Sequence, residues 1–206
     1  MANIDFIEVG LTQFIDFTVK SSTARVTHVR KIKNQEDYQP AFDYWKQLRE
    51  EIINAHQNEL SLDGLNYLIE QVDAKKQKNY AEAISRYQKF FRKKQVQWFD
   101  PGKSFWVFKD LHIRSSADLG LNINGEPYLV KLYFKGKTEK VDKRNTRIAL
   151  ALMRASRNTL QLRKIKPAVL NIQKATLYPF TEKLTNDMKL ALEADADNFI
   201  FLWNNL

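Results

Sequence analysis

The chain has 206 residues and a formal net charge of +9, and its 44% hydrophobic content excludes a largely disordered protein. It contains no Cys, which excludes disulfides and thiolate metal sites. No stretch reaches the roughly 20 apolar residues that span a membrane, and residues 1–10 lack the basic start and apolar run of a secretory signal. We therefore expect a cytoplasmic protein with no membrane partner.

The first half, residues 1–97, is predicted to be mostly helical. Apolar residues recur at helical spacing in three places. They are Phe42, Trp45, Leu48 and Ile52; Leu62, Leu65, Leu68, Ile69 and Val72; and Tyr80, Ile84, Tyr87 and Phe91. The segment from Ser21 to Lys33 carries β-branched residues, so an extended conformation remains an alternative there.

A boundary is predicted at residues 98–104, because Pro101 and Gly102 interrupt regular secondary structure and the spacing of apolar residues changes after them. Residues 98–206 would then form a second, α/β region. The helix at about 79–94 is expected to pack on that region, and a single domain remains open. The end of this helix is strongly basic and carries no acidic residue among Arg86, Lys89, Arg92, Lys93 and Lys94.

Beyond the boundary the apolar period is two, which is typical of strands. Strands are predicted at Phe105–Arg114, Leu119–Asn124 and Tyr128–Phe134. Asn124 and Gly125 both tolerate positive φ, so the last two strands should form a hairpin. The pattern predicts a three-stranded antiparallel meander.

A helix at about 145–157, a strand at 168–178 and a helix from Thr181 to about Leu192 complete the order. The fold class is therefore α+β, with helices and strands mixed along the chain. An apolar cluster at the carboxyl end either packs on the core or forms a surface for a protein partner. It comprises Phe199, Phe201, Leu202 and Trp203.

The order helix, three strands, helix, strand over residues 79–178 resembles the core of the PD-(D/E)XK phosphodiesterase and nuclease superfamily. The resemblance implies an acidic residue on the second strand and an acidic-x-Lys triplet on the third, which bind Mg²⁺ or Mn²⁺ and activate water. Asp118 stands at the start of the second strand and Lys131 lies within the third. The resemblance therefore implies catalytic roles for Asp118, as metal ligand, and for Lys131.

The sequence departs from this pattern at Leu129, where the family places Asp or Glu. Strand side chains alternate, so residue 129 shares a face with Lys131 and supplies no carboxylate there. Glu126 or Glu82 is a candidate for the missing ligand. The alternative is that Asp118 is a turn residue and that Lys131 only extends from a sheet face.

A cationic run lies between the third strand and the following helix. Its positive residues are Lys135, Lys137, Lys140, Lys143, Arg144 and Arg147, against only Glu139 and Asp142. Such density beside a helix amino terminus favours a phosphate backbone, and a solvated loop is the alternative.

Three functions remain open from the sequence. The first is a divergent metal-dependent nuclease acting on DNA or RNA. The second is a nucleic-acid-binding protein on the same scaffold without catalysis, which agrees with the missing carboxylate at residue 129. The third is a protein-interaction module.

Overall fold

The computed structural model describes residues 6–35, 43–134, 143–158 and 164–206, with the backbone alone for 143–145. The described residues form two sheets, one of four strands and one of five. The mixed α+β class predicted from the sequence is confirmed. None of the described helices is both long and apolar enough to cross a membrane.

The four-stranded sheet combines the amino-terminal strand with strands from the middle of the chain. Its members are β1 (Ile7–Gly10), β3 (Ser104–Phe108), β4 (Leu111–Arg114) and β7 (Arg157–Asn158), in the order β1, β4, β3, β7. β1 runs parallel to β4, and β3 is antiparallel to both of its neighbours. The predicted boundary at 98–104 is thus bridged by strand pairing.

The five-stranded sheet contains the strands predicted at 119–124, 128–134 and 168–178, but not the one predicted at 105–114. Its members are β2 (Val96–Phe99), β5 (Leu119–Ile123), β6 (Glu126–Tyr133), β8 (Lys166–Asn171) and β9 (Thr176–Pro179), in the order β2, β5, β6, β8, β9. β6 and β8 are parallel, and the other pairs are antiparallel. The helix that connects the two parallel strands is α6 (Lys143–Ala155).

The remaining helices lie between β1 and β2 in the chain or follow β9. They are α1 (Leu11–Thr18), α2 (Ser22–Lys33), α3 (Lys46–Gln57), the 3-10 helix Leu62–Tyr67, α4 (Leu68–Gln71), α5 (Ala74–Phe91) and α7 (Asn186–Asn205). Ser22–Lys33 is therefore helical, and the extended alternative for this segment is wrong. The last helix starts at an N-cap formed by Thr185 rather than Thr181, and it extends past Leu192.

One strand of the predicted meander is wrong. Residues 105–114 do not form its first strand, because they fold back at Lys109 into the β3–β4 hairpin of the other sheet. β2, just after α5, takes the place beside β5. The β5–β6 hairpin is confirmed, with positive φ at Asn124 (52°) and Gly125 (88°).

Two apolar cores lie on opposite faces of the five-stranded sheet. Val130, Leu132 and their neighbours pack under α3, the 3-10 helix and α5. Leu129 and Val169, on the other face, join the second core with α1, α6 and α7 and the inner face of the four-stranded sheet. Both faces of β6 are therefore covered.

Candidate functional site

Asp118 and Lys131 meet, as the resemblance requires. The backbone N–H of Asp118 donates to the carbonyl of Val130 at 3.0 Å, which places Asp118 just before β5 and beside β6. Lys131 Nζ lies 2.8 Å from Asp118 Oδ1, and the backbone N–H of Leu132 donates to Oδ2 at 2.7 Å. Both carboxylate oxygens of Asp118 therefore already accept a hydrogen bond.

The pair is partly enclosed. The side chain of Asp118 is 9% exposed and that of Lys131 is 25% exposed. Both oxygens of the Asp118 carboxylate are thus satisfied by donors of the protein, one of them the Lys131 ammonium group. The ion pair therefore links the start of β5 to the middle of β6.

A buried tyrosine and histidine lie on the helical side of the same sheet. His56 Nε2 on α3 lies 2.7 Å from the hydroxyl of Tyr87 on α5. Burial raises the pKa of Tyr87 well above its usual value, and the negative charge of Asp118 raises it further. Burial lowers the pKa of His56 to about 4, so this imidazole is neutral at neutral pH.

The other proposed carboxylates do not join Asp118. Glu126 begins β6, five residues before Lys131 and therefore roughly 16 Å along the strand; it pairs with Lys166 at 2.6 Å, and this hydrogen bond raises the pKa of Lys166. Glu82 on α5 pairs with Arg86 at 3.5 Å. Leu129, at the family's ligand position, is 3% exposed and packs in a core.

The donor set does not fit a magnesium or manganese ion at Asp118. Such an ion prefers carboxylate and water oxygens. The carboxylate of Asp118 already binds the Lys131 ammonium group and the backbone N–H of Leu132, and the family's neighbouring ligand position holds the apolar Leu129. Within residues 6–35, 43–134, 143–158 and 164–206, no three His, Asp or Glu side chains are grouped to hold a metal ion.

Most of the predicted phosphate-binding run cannot be placed. Lys135, Lys137 and Lys140 lie outside the described residues, and Lys143 and Arg144 are described only as backbone in the first turn of α6. The remaining member, Arg147, is exposed and pairs with Glu182 at 2.7 Å.

A basic stripe lies along α5 and the turn that follows it. Residues 74–94 carry eight Lys or Arg and one acidic residue, Glu82. Five of these cations are exposed and have no acidic partner among the described residues. We call them the α5 stripe: Lys75, Lys78, Lys89, Arg92 and Lys93. The sequence analysis identified only its carboxyl-terminal half, because helix bounds starting at residue 79 excluded Lys75 and Lys78.

Comparison with protein-family models, with curated proteins and with solved structures finds no match for this chain. Its function is therefore argued from the geometry of its own residues.

Proposed function

We propose that this chain is a nucleic-acid-binding protein built on a nuclease-like sheet, in which the Asp118–Lys131 pair is structural and no metal-dependent cleavage occurs. The proposal includes DNA or RNA as partner and a cytoplasmic location, which agrees with a chain free of Cys. The observation that carries it is the α5 stripe.

The stripe presents its charges in one direction. At about 100° per residue, Lys75, Lys78, Lys89 and the helix C-cap Arg92 fall within an arc of about 100° on α5, and Lys93 lies in the turn that follows. The buried residues of α5, among them Tyr80, Ile84 and Tyr87, lie on the opposite side against the five-stranded sheet. The stripe is thus held rigidly by the core beneath it and faces solvent.

Its length suits a polyanion. From Lys75 to the C-cap Arg92 the helix rises about 26 Å, at about 1.5 Å per residue. Duplex DNA carries one negative charge per roughly 1.7 Å of its axis, so several phosphates lie within reach of such a stripe. Contacts of this kind supply affinity and positioning but carry no sequence information.

The carboxylates of the described residues favour binding over cleavage, because none of them joins Asp118 in a metal-binding group. Leu129 fills the family's ligand position with a buried apolar side chain, and Glu126 is engaged at the far end of β6. A metal-dependent nuclease is the second candidate. It is favoured by the order of α5, β2, β5, β6, α6 and β8, and by the meeting of Asp118 with Lys131.

The test is equilibrium binding of a labelled DNA duplex, measured by fluorescence anisotropy over a series of salt concentrations. The variant Lys78→Gln/Lys89→Gln/Arg92→Gln should bind more weakly than the natural chain. Its log–log salt slope should be smaller by up to about 2.7, from about 0.9 per lost duplex phosphate contact.

The matched control removes the same charge elsewhere. Arg30, Lys31 and Lys189 are exposed on α2 and α7, which pack on the other core. Arg30→Gln/Lys31→Gln/Lys189→Gln lowers the net charge equally and should leave most of the salt slope intact. Equal losses in the two variants would show a general charge effect and would contradict a site on α5.

A further inference from the structure

The four-stranded sheet leaves one face toward solvent, and that face is not polar. Antiparallel strands with one solvated face usually alternate apolar and polar residues. In β3, Trp106 points into the core, yet the outward residues on either side of it are Phe105 (40% exposed) and Val107 (50% exposed). Adjoining exposed apolar side chains mark interaction sites, whereas single ones are common on any surface.

Strand register places an arginine on each side of that ring. Phe105 is paired with Arg114 of β4 on one side and with Arg157 of β7 on the other. Directly paired residues project from the same face of a sheet. With strands about 4.8 Å apart, the two arginines stand roughly 10 Å from each other with the phenyl ring between them.

A pair of aromatic rings lies on the same face as Phe105. His112 of β4 is paired with Val107, and the ring of Phe6, which precedes β1, lies 4.3 Å from the His112 ring between centroids. Phe6 is 56% exposed. The acidic residue on this face, Glu8, is already paired with Arg114 at 3.2 Å. Arg157 is exposed and pairs with no carboxylate of the described residues.

We infer that this face, defined by Phe6, Phe105, Val107, His112, Arg114 and Arg157, binds single-stranded nucleic acid by stacking unpaired bases on its rings. Every base has an aromatic face that stacks on such side chains, and flanking guanidinium groups attract the phosphates. A duplex keeps its bases stacked on each other and offers only its backbone. The inference rests on the proposed function and adds to it a surface and a preference for single strands.

The test compares the natural chain with Phe105→Leu, which removes the ring but keeps an apolar side chain in the strand. The control is Phe201→Leu, which removes a ring that is 61% exposed on α7. A labelled single-stranded oligonucleotide and a duplex of the same length serve as probes. Phe105→Leu should weaken single-strand binding by roughly 5-fold to 150-fold and leave duplex binding unchanged. Phe201→Leu should change neither.

Photo-cross-linking provides an answer even if Phe105→Leu fails to fold. A single strand containing 5-iodouracil is irradiated with the natural chain, and the cross-linked peptide is identified by mass spectrometry. Cross-links to Phe6, to Arg157 or within residues 104–114 are expected. Single-strand cross-links confined to segments outside this face, or equal binding by Phe105→Leu and Phe201→Leu, would overturn the inference.

These failures are separable from failure of the proposed function. If the duplex binds through the α5 stripe while single strands show no dependence on Phe105, only the inference about the open face is wrong. If neither probe binds the natural chain at low salt, the proposed function is wrong and the open-face inference falls with it.

Discussion

The two sheets of this protein differ in how much of each is covered. The five-stranded sheet has an apolar core on both faces, so even its charged pair Asp118 and Lys131 is held by the packing around it. The four-stranded sheet is covered on one face only and leaves Phe105 and Val107 in solvent. Asp118 and Lys131, which match the catalytic pattern, thus have a role in packing the five-stranded sheet. Phe105 and Val107 have no such role and lie on the open face of the four-stranded sheet.

The largest expected effect is at Gly120, in the doubly covered sheet. A Cβ at this position would lie 2.3 Å from the carbonyl oxygen of Phe99 and 2.7 Å from its ring. Because backbone cannot move aside as a flexible side chain can, Gly120→Ala should lower the free energy of unfolding by about 3 kcal/mol. Chemical denaturation measures it. The control is Gly64→Ala, which meets no atom within 4 Å; a similar loss in both variants would contradict the explanation.

The buried imidazole of His56 should make stability depend on pH. Its pKa is lowered from 6.5 to about 4 in the folded protein, so the unfolded chain binds a proton more readily between these values. Stability from neutral His56 is complete above about pH 6.5 and is lost as pH falls toward 4, by up to about 3 kcal/mol.

The measurement is the difference in the free energy of unfolding between the natural chain and His56→Gln across this pH range. Because the carboxylates titrate in both chains, their contribution cancels in this difference. Glutamine also offers Tyr87 a hydrogen-bonding partner, so the variant should fold. If the two chains lose stability in parallel from pH 6.5 to 4, His56 is not the source.

The ion pair should behave as a structural bond. Lys131→Met leaves the nearly buried carboxylate of Asp118 without its cation and should lower stability by about 2 kcal/mol. The double variant Asp118→Asn/Lys131→Met should cost less than the sum of the two single changes, because it removes both charges and leaves neither without its partner. Urea denaturation of the four chains gives the coupling energy. Additive losses would mean that the pair contributes no mutual stabilisation.

The open sheet should tolerate change. Val107→Thr keeps a β-branched residue on a half-exposed position, so stability should change by less than about 0.5 kcal/mol. Thermal unfolding is sufficient to check it. A loss comparable with that of Lys131→Met would mean that this face is not open in solution.

Much of the fold follows from local patterns in the sequence. The three- and four-residue spacing of Tyr80, Ile84, Tyr87 and Phe91 predicted α5, and Asn124–Gly125 predicted the β5–β6 hairpin. The strand at 105–114 was wrong because the chain reverses at Lys109, where the positive φ of 50° falls on a residue other than glycine and so carries no glycine signal in the sequence. The strand at 168–178 is likewise two strands, β8 and β9.

The site was predictable only in part. Register brought Asp118 beside Lys131, as the strand order implied. The burial of Leu129 depends on a second core formed by α1, α6 and α7, which local periodicity does not reveal. Local periodicity also does not reveal that Phe105 is exposed, because its sheet includes β1, which lies about a hundred residues earlier in the chain. The restoring substitution Leu129→Glu, which would complete the family triplet, should therefore disrupt this core.

The most direct test of binding without metal-dependent cleavage uses one labelled oligonucleotide, first single-stranded and then duplex. It measures whether the oligonucleotide is bound and whether it stays at full length. The natural chain is mixed with it in a chelator, and then in millimolar magnesium or manganese. The account predicts that the nucleic acid is bound in all of these conditions and is recovered at full length. Cleavage that requires the metal, and that Lys131→Ala abolishes in a chain still folded, would contradict the account and establish the nuclease.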